Sequence, residues 1–373
     1  MHYKPNEGGS MKTKQPNLLD LYTDYLISQN YHATATGLAS LLEGEVSHDQ
    51  VTRFLNKNNF GPKELWKFVK AKVRNCQQET DGALIIDDTI EEKPYTDENE
   101  IVSWHYSHTK GHQVKGINLL TCLVRYGDRA LPITYDIVAK DQAYVEPKTG
   151  KQKKRSTISK NERFRSLIKQ AVKNQVKFDY IIADSWFSSK ENMQYIDQKL
   201  GKKFIFALKT NRLVAVANED GTKGTFQDLN SVNLQDNEKK KVYLTGIDFA
   251  VVIVKKEFTN EDGTRGTLYL VSNDIDKEGT LLYQTYQKRW LVEEYHKSIK
   301  ENASLAKSPT KVETSQRNHI FSSMIAYCKL EFLSIKTSIN HFALKYKLIL
   351  KANQAALIEL QRLQRLQATI STA

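Results

Sequence analysis

Apolar residues change their spacing several times along the chain, and each change predicts an element. From residue 18 to about 74 they recur at three and four, the period of helices. Within that region, helical segments at 36–42 and 48–55 flank Glu43-Gly44-Glu45-Val46-Ser47; Gly44 suits the end of the first helix and Ser47 the cap of the second. That is the outline of a helix-turn-helix whose second helix offers Gln50 and Arg53 to DNA, and equally of an ordinary packed helical hairpin. At 83–89 the period shortens to a buried-strand run, Ala-Leu-Ile-Ile-Asp-Asp-Thr, which ends in Asp87 and Asp88. Segments 114–125 and 131–138 alternate apolar and polar residues around Tyr126-Gly127-Asp128, predicting a hairpin beside the first strand.

A second apolar run, 178–187, carries Asp184. Strand, helix and strand at 178–183, 190–199 and 203–208 predict a parallel crossover, with Asp184 at a strand's carboxyl end, where open α/β sheets place their ligands. Trp186 and Phe187 are expected to pack rather than to stack on a base. Segment 210–276 has turn clusters and β-branched runs, a β-rich insertion. Segment 286–300 reads as one helix, on which Tyr286, Arg289, Glu293 and Lys300 fall at about 0°, 300°, 340° and 320°. Leu291, Val292, Tyr295 and Ile299 supply its packing stripe. The remainder is helical: 319–337 with one apolar face, then 344–369, a packing or dimer element.

Charge adds a partner. The 373 residues are 40% hydrophobic and 26% charged, an ordinary balance, but the net charge is +12. Such an excess attracts polyanions, and nucleic acid leads. Residues 148–173 concentrate ten basic side chains against the single acid Glu162. Lys153, Lys154 and Arg155 are therefore expected in a mobile loop touching phosphates. The pattern shows neither an apolar run long enough to span a membrane nor a secretory leader, so a cytoplasmic, nucleoid-associated protein is expected. Cys76, Cys122 and Cys328 lie far apart and predict reduced, buried thiols. His105, His108 and His112 lack a zinc spacing and are expected to make polar contacts near the catalytic face. Residues 1–16 are expected to be an extension or disordered.

Three acids stand out: Asp88 and Asp184 at strand ends, and Glu293 on the helix. Carboxylate oxygens suit Mg²⁺ or Mn²⁺, and two such ions can clamp an in-line phosphoryl displacement. The spacing Tyr286, Arg289, Glu293, Lys300 resembles the Y-(2)-R-(3)-E-(6)-K signature of DDE transposases of the IS4-like (IS4 and IS701) insertion-sequence group. Ile85-Ile86-Asp87-Asp88-Thr89 resembles that group's first-aspartate motif, and Ile181-Ile182-Ala183-Asp184 its second.

The resemblance implies an α/β, ribonuclease H-like catalytic core interrupted by a β-rich insertion, with helical regions at both ends. The units expected are 17–80, helical and DNA-binding; 81–209, the first part of the core; 210–281, the insertion; 282–304, the core helix with the glutamate; and 305–373, helical. It also implies a metal triad of Asp88, Asp184 and Glu293, a DNA grip by Tyr286, Arg289 and Lys300, and cut-and-paste transposition by a homodimer on double-stranded transposon ends and target DNA. Asp88 is taken over Asp87 because it directly precedes threonine. Glu294 is the alternative acid, and Lys297 shares the face of Lys300. No tryptophan falls in the insertion, so a flipped base would need Tyr243, Phe249, Phe258 or Tyr269. The rivals are a nuclease on the same core that does not join strands, and a non-catalytic DNA-binding protein derived from a transposase.

Overall fold

The computed structural model describes residues 17–77, 82–147 and 149–371, the side chains only as far as residue 366. The expectation for residues 1–16 lies outside them, as does Lys148. The chain opens with four helices: α1 (Leu18–Ser28), α2 (Ala35–Leu41), α3 (His48–Lys57) and α4 (Pro62–Cys76). Gly44 takes a φ of +86° just past α2, a conformation that costs glycine little. The Ser47 side chain accepts from Gln50 N–H while the Gln50 side chain accepts from Ser47 N–H, a full capping box. Gln50 is thus committed to the cap, and Arg53 remains exposed on the outer face of α3.

The strands β1 (Gly82–Glu92), β2 (Ser103–Ser107), β3 (His112–Tyr126) and β4 (Arg129–Ile137) follow. The predicted hairpin is β3–β4, closed by Gly127 at a φ of +59°. β3 is long enough to pair with β1 along one edge and with β2 and β4, end to end, along the other. The expected mobile basic loop is instead a two-stranded ribbon, β5 (Gln142–Val145) and β6 (Gln152–Arg155). Cross-strand pairing orders it: Lys153 meets Glu146, and Arg155 donates to Gln142 and lies over the Tyr144 ring.

Helix α5 (Lys160–Lys173) leads to β7 (Tyr180–Ala183), α6 (Lys190–Gln194) and β8 (Lys203–Leu208). β7 runs parallel to β1, and β8 parallel to β7, as the crossover pattern predicted. The β-rich segment contributes β9 (Leu213–Ala217), β10 (Lys223–Asp228), β11 (Lys239–Leu244), β12 (Val251–Thr259) and β13 (Arg265–Ser272). Because β13 pairs antiparallel with β8, these strands prolong the same sheet, in the order β10-β9-β11-β12-β13-β8-β7-β1-β3.

The segment read as one helix is two, α7 (Gly279–Gln287) and α8 (Trp290–Glu301). At the join the backbone tightens to i→i−3 bonds: Arg289 N–H donates to Tyr286 O at 2.8 Å and Val292 N–H to Arg289 O at 2.9 Å. The break has a packing cause. α7 buries Leu282 and Tyr286 with Ala83, Ile182 and Ile205, whereas α8 buries Val292, Tyr295 and Ile299 in the main core. One straight helix cannot serve both surfaces, so the 100° arithmetic fails across residues 288–289.

Helix α9 (Glu313–Thr337) is not apolar on one face but buried around its first two-thirds. Its polar side chains find partners there: Asn318 donates to Leu55 O and Asn58 O, and His319 joins Tyr22 at 2.9 Å. α9 thereby ties the N-terminal helices to the rest. Helix α10 (His341–Ser371) follows, and its residues 351–366 are exposed throughout. All three cysteines are buried and free. Among the described residues no helix is long and apolar enough to cross a membrane.

Candidate active site

Sheet register decides which aspartates meet. β1 and β7 are paired at Leu84↔Ile181 and Ile85↔Ile182. Continued by two residues, that register brings Asp87 level with Asp184, and level residues of parallel strands share a face. Their electrostatics agree. Burial, then the charge of Asp184, raises the Asp87 carboxyl to about 7, although the Arg289 guanidinium opposes the shift. Asp88 points into other company: its Oδ2 accepts from Asn118 Nδ2 at 2.6 Å and from Lys160 Nζ at 2.8 Å.

Glu293 reaches the same cleft from the first turn of α8, with its side chain 41% exposed. Arg289 bridges the acids: its Nη1 lies 2.9 Å from Asp87 Oδ2 and 3.3 Å from Glu293 Oε1. Asp184 stands just past β7 and accepts from Trp186 N–H at 2.8 Å. Asp87, Asp88, Asp184 and Glu293 line one open cavity of about 790 Å³, together with Lys160, Lys209, Lys297 and Lys300.

The remaining predicted residues divide. Tyr286 is buried at the end of α7, its hydroxyl raised to about 12 mainly by burial, and it supports Arg289 from beneath rather than facing solvent. Lys300 lines the cavity and donates to Ile90 O at 2.9 Å, while Lys297 lines it with its ammonium over the Phe342 ring. Glu294 opens on a different depression, beside Glu331 and His341. Arg53, Lys153, Lys154 and Arg155 are exposed and outside the cavity. Of the aromatic residues considered for a flipped base, Tyr269 is buried, Phe249 packs on the core and Phe258 covers Gly266; none of these and not Tyr243 lines the cavity.

Sequence reasoning missed Lys160, Asn118 and His296, and it expected Trp186 to pack, whereas that residue is 47% exposed in the cleft. Lys160 carried a signal, since the Ser159/Glu162 capping box fixes it as the first residue of α5. His296 is buried on α8 with no hydrogen-bond partner for Nε2, and nothing in its spacing marked it.

The donors present fit a divalent metal in chemistry and charge: four carboxylates in one cleft, one of them raised to about 7 by burial and then by the charge of Asp184, with cationic side chains beside them. Among the described residues no three histidine, cysteine or acidic side chains are closed round a common point, and Arg289 stands between Asp87 and Glu293.

Three buried histidines add a pH dependence. Burial lowers His105 to about 4, His296 to about 3 and His319 to about 4. A depressed folded-state pKa means that the unfolded chain takes up the proton first, so stability is lost as pH falls below about 6.5. Asp87, raised to about 7, works the other way over the same window and offsets one of the three protons. Glu91, raised mainly by burial, acts in the same sense as Asp87, and the net expectation is a protein less stable at pH 5 than at pH 7.5. Urea titrations at the two pH values check it; an equal or higher midpoint at pH 5 contradicts the neutral-histidine reading.

The family model described as DDE superfamily endonuclease matches residues 10–223, more than half of the chain. A second, described as Transposase DDE domain, matches residues 151–329, a span that holds Asp184 and Glu293. No curated protein matches.

Proposed function

Because the chain belongs to the DDE superfamily endonucleases, we propose that it is a DNA transposase of the IS4-like insertion-sequence group, cutting and joining DNA at the carboxylate cleft. The observation that carries this reading is the parallel register of β1 with β7, which, extended past Ala183, sets Asp87 level with Asp184, with Glu293 entering the same cleft from α8. The sheet supports it as well. β4, β3 and β1 are antiparallel neighbours and β7 and β8 continue in parallel, which we read as a ribonuclease H-like core.

In this reading Asp87, in place of the Asp88 that the motif suggests, would join Asp184 and Glu293 in holding Mg²⁺ or Mn²⁺, two ions as the family resemblance implies, while Asp88 adds negative charge from the adjacent strand position. Such a metal, when bound, would lower the pKa of an attacking water or DNA 3′-hydroxyl and offset charge on the phosphate. The chain's own residues do the rest. Arg289 keeps the carboxylates apart and ordered, and Lys209, Lys297 and Lys300, which line the cleft, are the cations that would meet backbone phosphates on leaving their present partners. Arg53 on α3 and the β5–β6 ribbon extend the grip along duplex DNA. Paired-end synapsis makes the working form a homodimer.

Two experiments test this. Incubation with Mg²⁺ or Mn²⁺ and duplexes carrying the inverted repeats that flank the coding region is expected to give nicked ends and joined products. Nicks without joining favour the nuclease, and specific binding without cleavage favours the non-catalytic DNA-binding protein. Separately, replacing Lys153, Lys154 and Arg155 together by alanine is expected to flatten the slope of log affinity against log salt by about 2.7, roughly 0.9 per lost phosphate contact. An unchanged slope removes the ribbon from the interface.

A further inference from the structure

Two adjacent aromatic residues after Asp184 meet opposite fates. Phe187 is fully buried and stacks on Phe164, ring centroids 4.8 Å apart. Trp186, expected to pack as well, is 47% exposed and lines the cavity of the carboxylates. It is not a stray surface residue. Its backbone N–H is held by Asp184 Oδ1, and the anchored Phe187 fixes the short turn from the other side, so the indole is presented rather than loose.

The surroundings point to a ligand with both a flat apolar face and negative charge. His108 stands edge-on at 5.9 Å from the indole, and Tyr106, half exposed, lies 5.0 Å beyond it. Two ammonium groups lie over the indole ring itself, Lys160 Nζ at 5.7 Å and Lys209 Nζ at 5.5 Å from its centroid, with Lys160 also held by Asp88, so a base that stacks there takes their place and leaves them to the flanking phosphates. Aromatic faces interleaved with cations are how proteins hold single-stranded nucleic acid: bases stack on the rings while the cations follow the phosphates. A base inside a duplex has both faces covered, so an indole takes an unpaired or terminal one.

We propose that Trp186, with His108 and Tyr106 beside it, is a stacking platform for an unpaired nucleobase next to the phosphate held at the carboxylates. The assignment rests on the DNA-cutting reading of the cleft. It is sequence-tolerant, since every base has a stacking face.

The test uses the full chain in EDTA with a fluorescein-labelled mixed-sequence single strand about 16 nucleotides long. A hairpin duplex of equal length is measured beside it. Trp186→Ala is expected to weaken single-strand binding by about 5- to 150-fold and duplex binding much less, with Trp186→Phe staying within a few-fold of the wild type. Quenching of tryptophan fluorescence by the strand is expected in the wild type and lost in both variants. Equal single-strand affinity in Trp186→Ala overturns the platform, as does an equal loss on single strand and duplex. Wild-type protein that ignores single strands also overturns it. Nicking of supercoiled plasmid by the same wild-type preparation in Mn²⁺ then tells whether the reading of the cleft stands without the platform or falls with it.

Discussion

Asp184→Asn and Glu293→Gln are each expected to lower metal-dependent nicking of DNA by at least about 10³-fold while leaving the fold intact. Losing an outer-shell partner of a metal costs roughly 10- to 100-fold, and losing a ligand that also neutralises charge at the reacting phosphate costs more. Neither replacement disturbs packing. The Glu293 side chain is 41% exposed, and amide and carboxylate have nearly the same shape. The Asp184 carboxylate accepts from Trp186 N–H, a bond that asparagine can also make through its amide oxygen. Plasmid nicking in Mn²⁺, read with circular dichroism of each variant, checks this. A folded variant retaining a tenth of wild-type activity would remove that residue from the metal site.

The second large effect separates Asp87 from Asp88. Asp87→Asn is expected to cost at least about 10³-fold in nicking, and Asp88→Asn about 10- to 100-fold, because Asp88 is engaged by Lys160 and Asn118 and lies a strand position away from Asp184. Asp87→Asn should also stabilise the protein. A carboxyl raised to about 7 in the fold opposes folding once ionised, so at pH 8 the neutral amide gains up to about 4 kcal/mol, less whatever Arg289 loses with its partner. That gain disappears below about pH 4, where the aspartate is protonated in folded and unfolded chains alike. A more stable but inactive protein is the trade expected of a functional carboxylate. If Asp88→Asn is the dead variant and Asp87→Asn cuts, the residue preceding Thr89 is the ligand and the register argument is wrong.

Local pattern made much of this legible. The runs at 83–89 and 178–183 became β1 and β7, and the crossover to β8 is parallel, because a short apolar run bounded by turns leaves little choice of state. Ser47 caps α3 because the side chain that completes the box is three residues away. What escaped was set by distant partners. The period of a strand says that Asp87 and Asp88 face opposite ways; only the pairing of β1 with β7 says which one meets Asp184. The join at 288–289 exists because α7 and α8 pack on different surfaces, and no residue there is a helix breaker. The ribbon that orders Lys153 to Arg155 depends on a cross-strand acid and a tyrosine. The alternate exposure of Trp186 and Phe187 depends on Phe164, far back in the chain on α5.

The most direct test of the account is metal occupancy. Crystals soaked in Mn²⁺ and measured at the manganese edge are expected to show anomalous density among Asp87, Asp184 and Glu293, with Arg289 displaced from at least one of its two carboxylates. Full Mn²⁺ soaking with no density there, or density only at sites away from this cleft, would contradict the claim that the carboxylate cleft is a metal-dependent DNA-cutting centre.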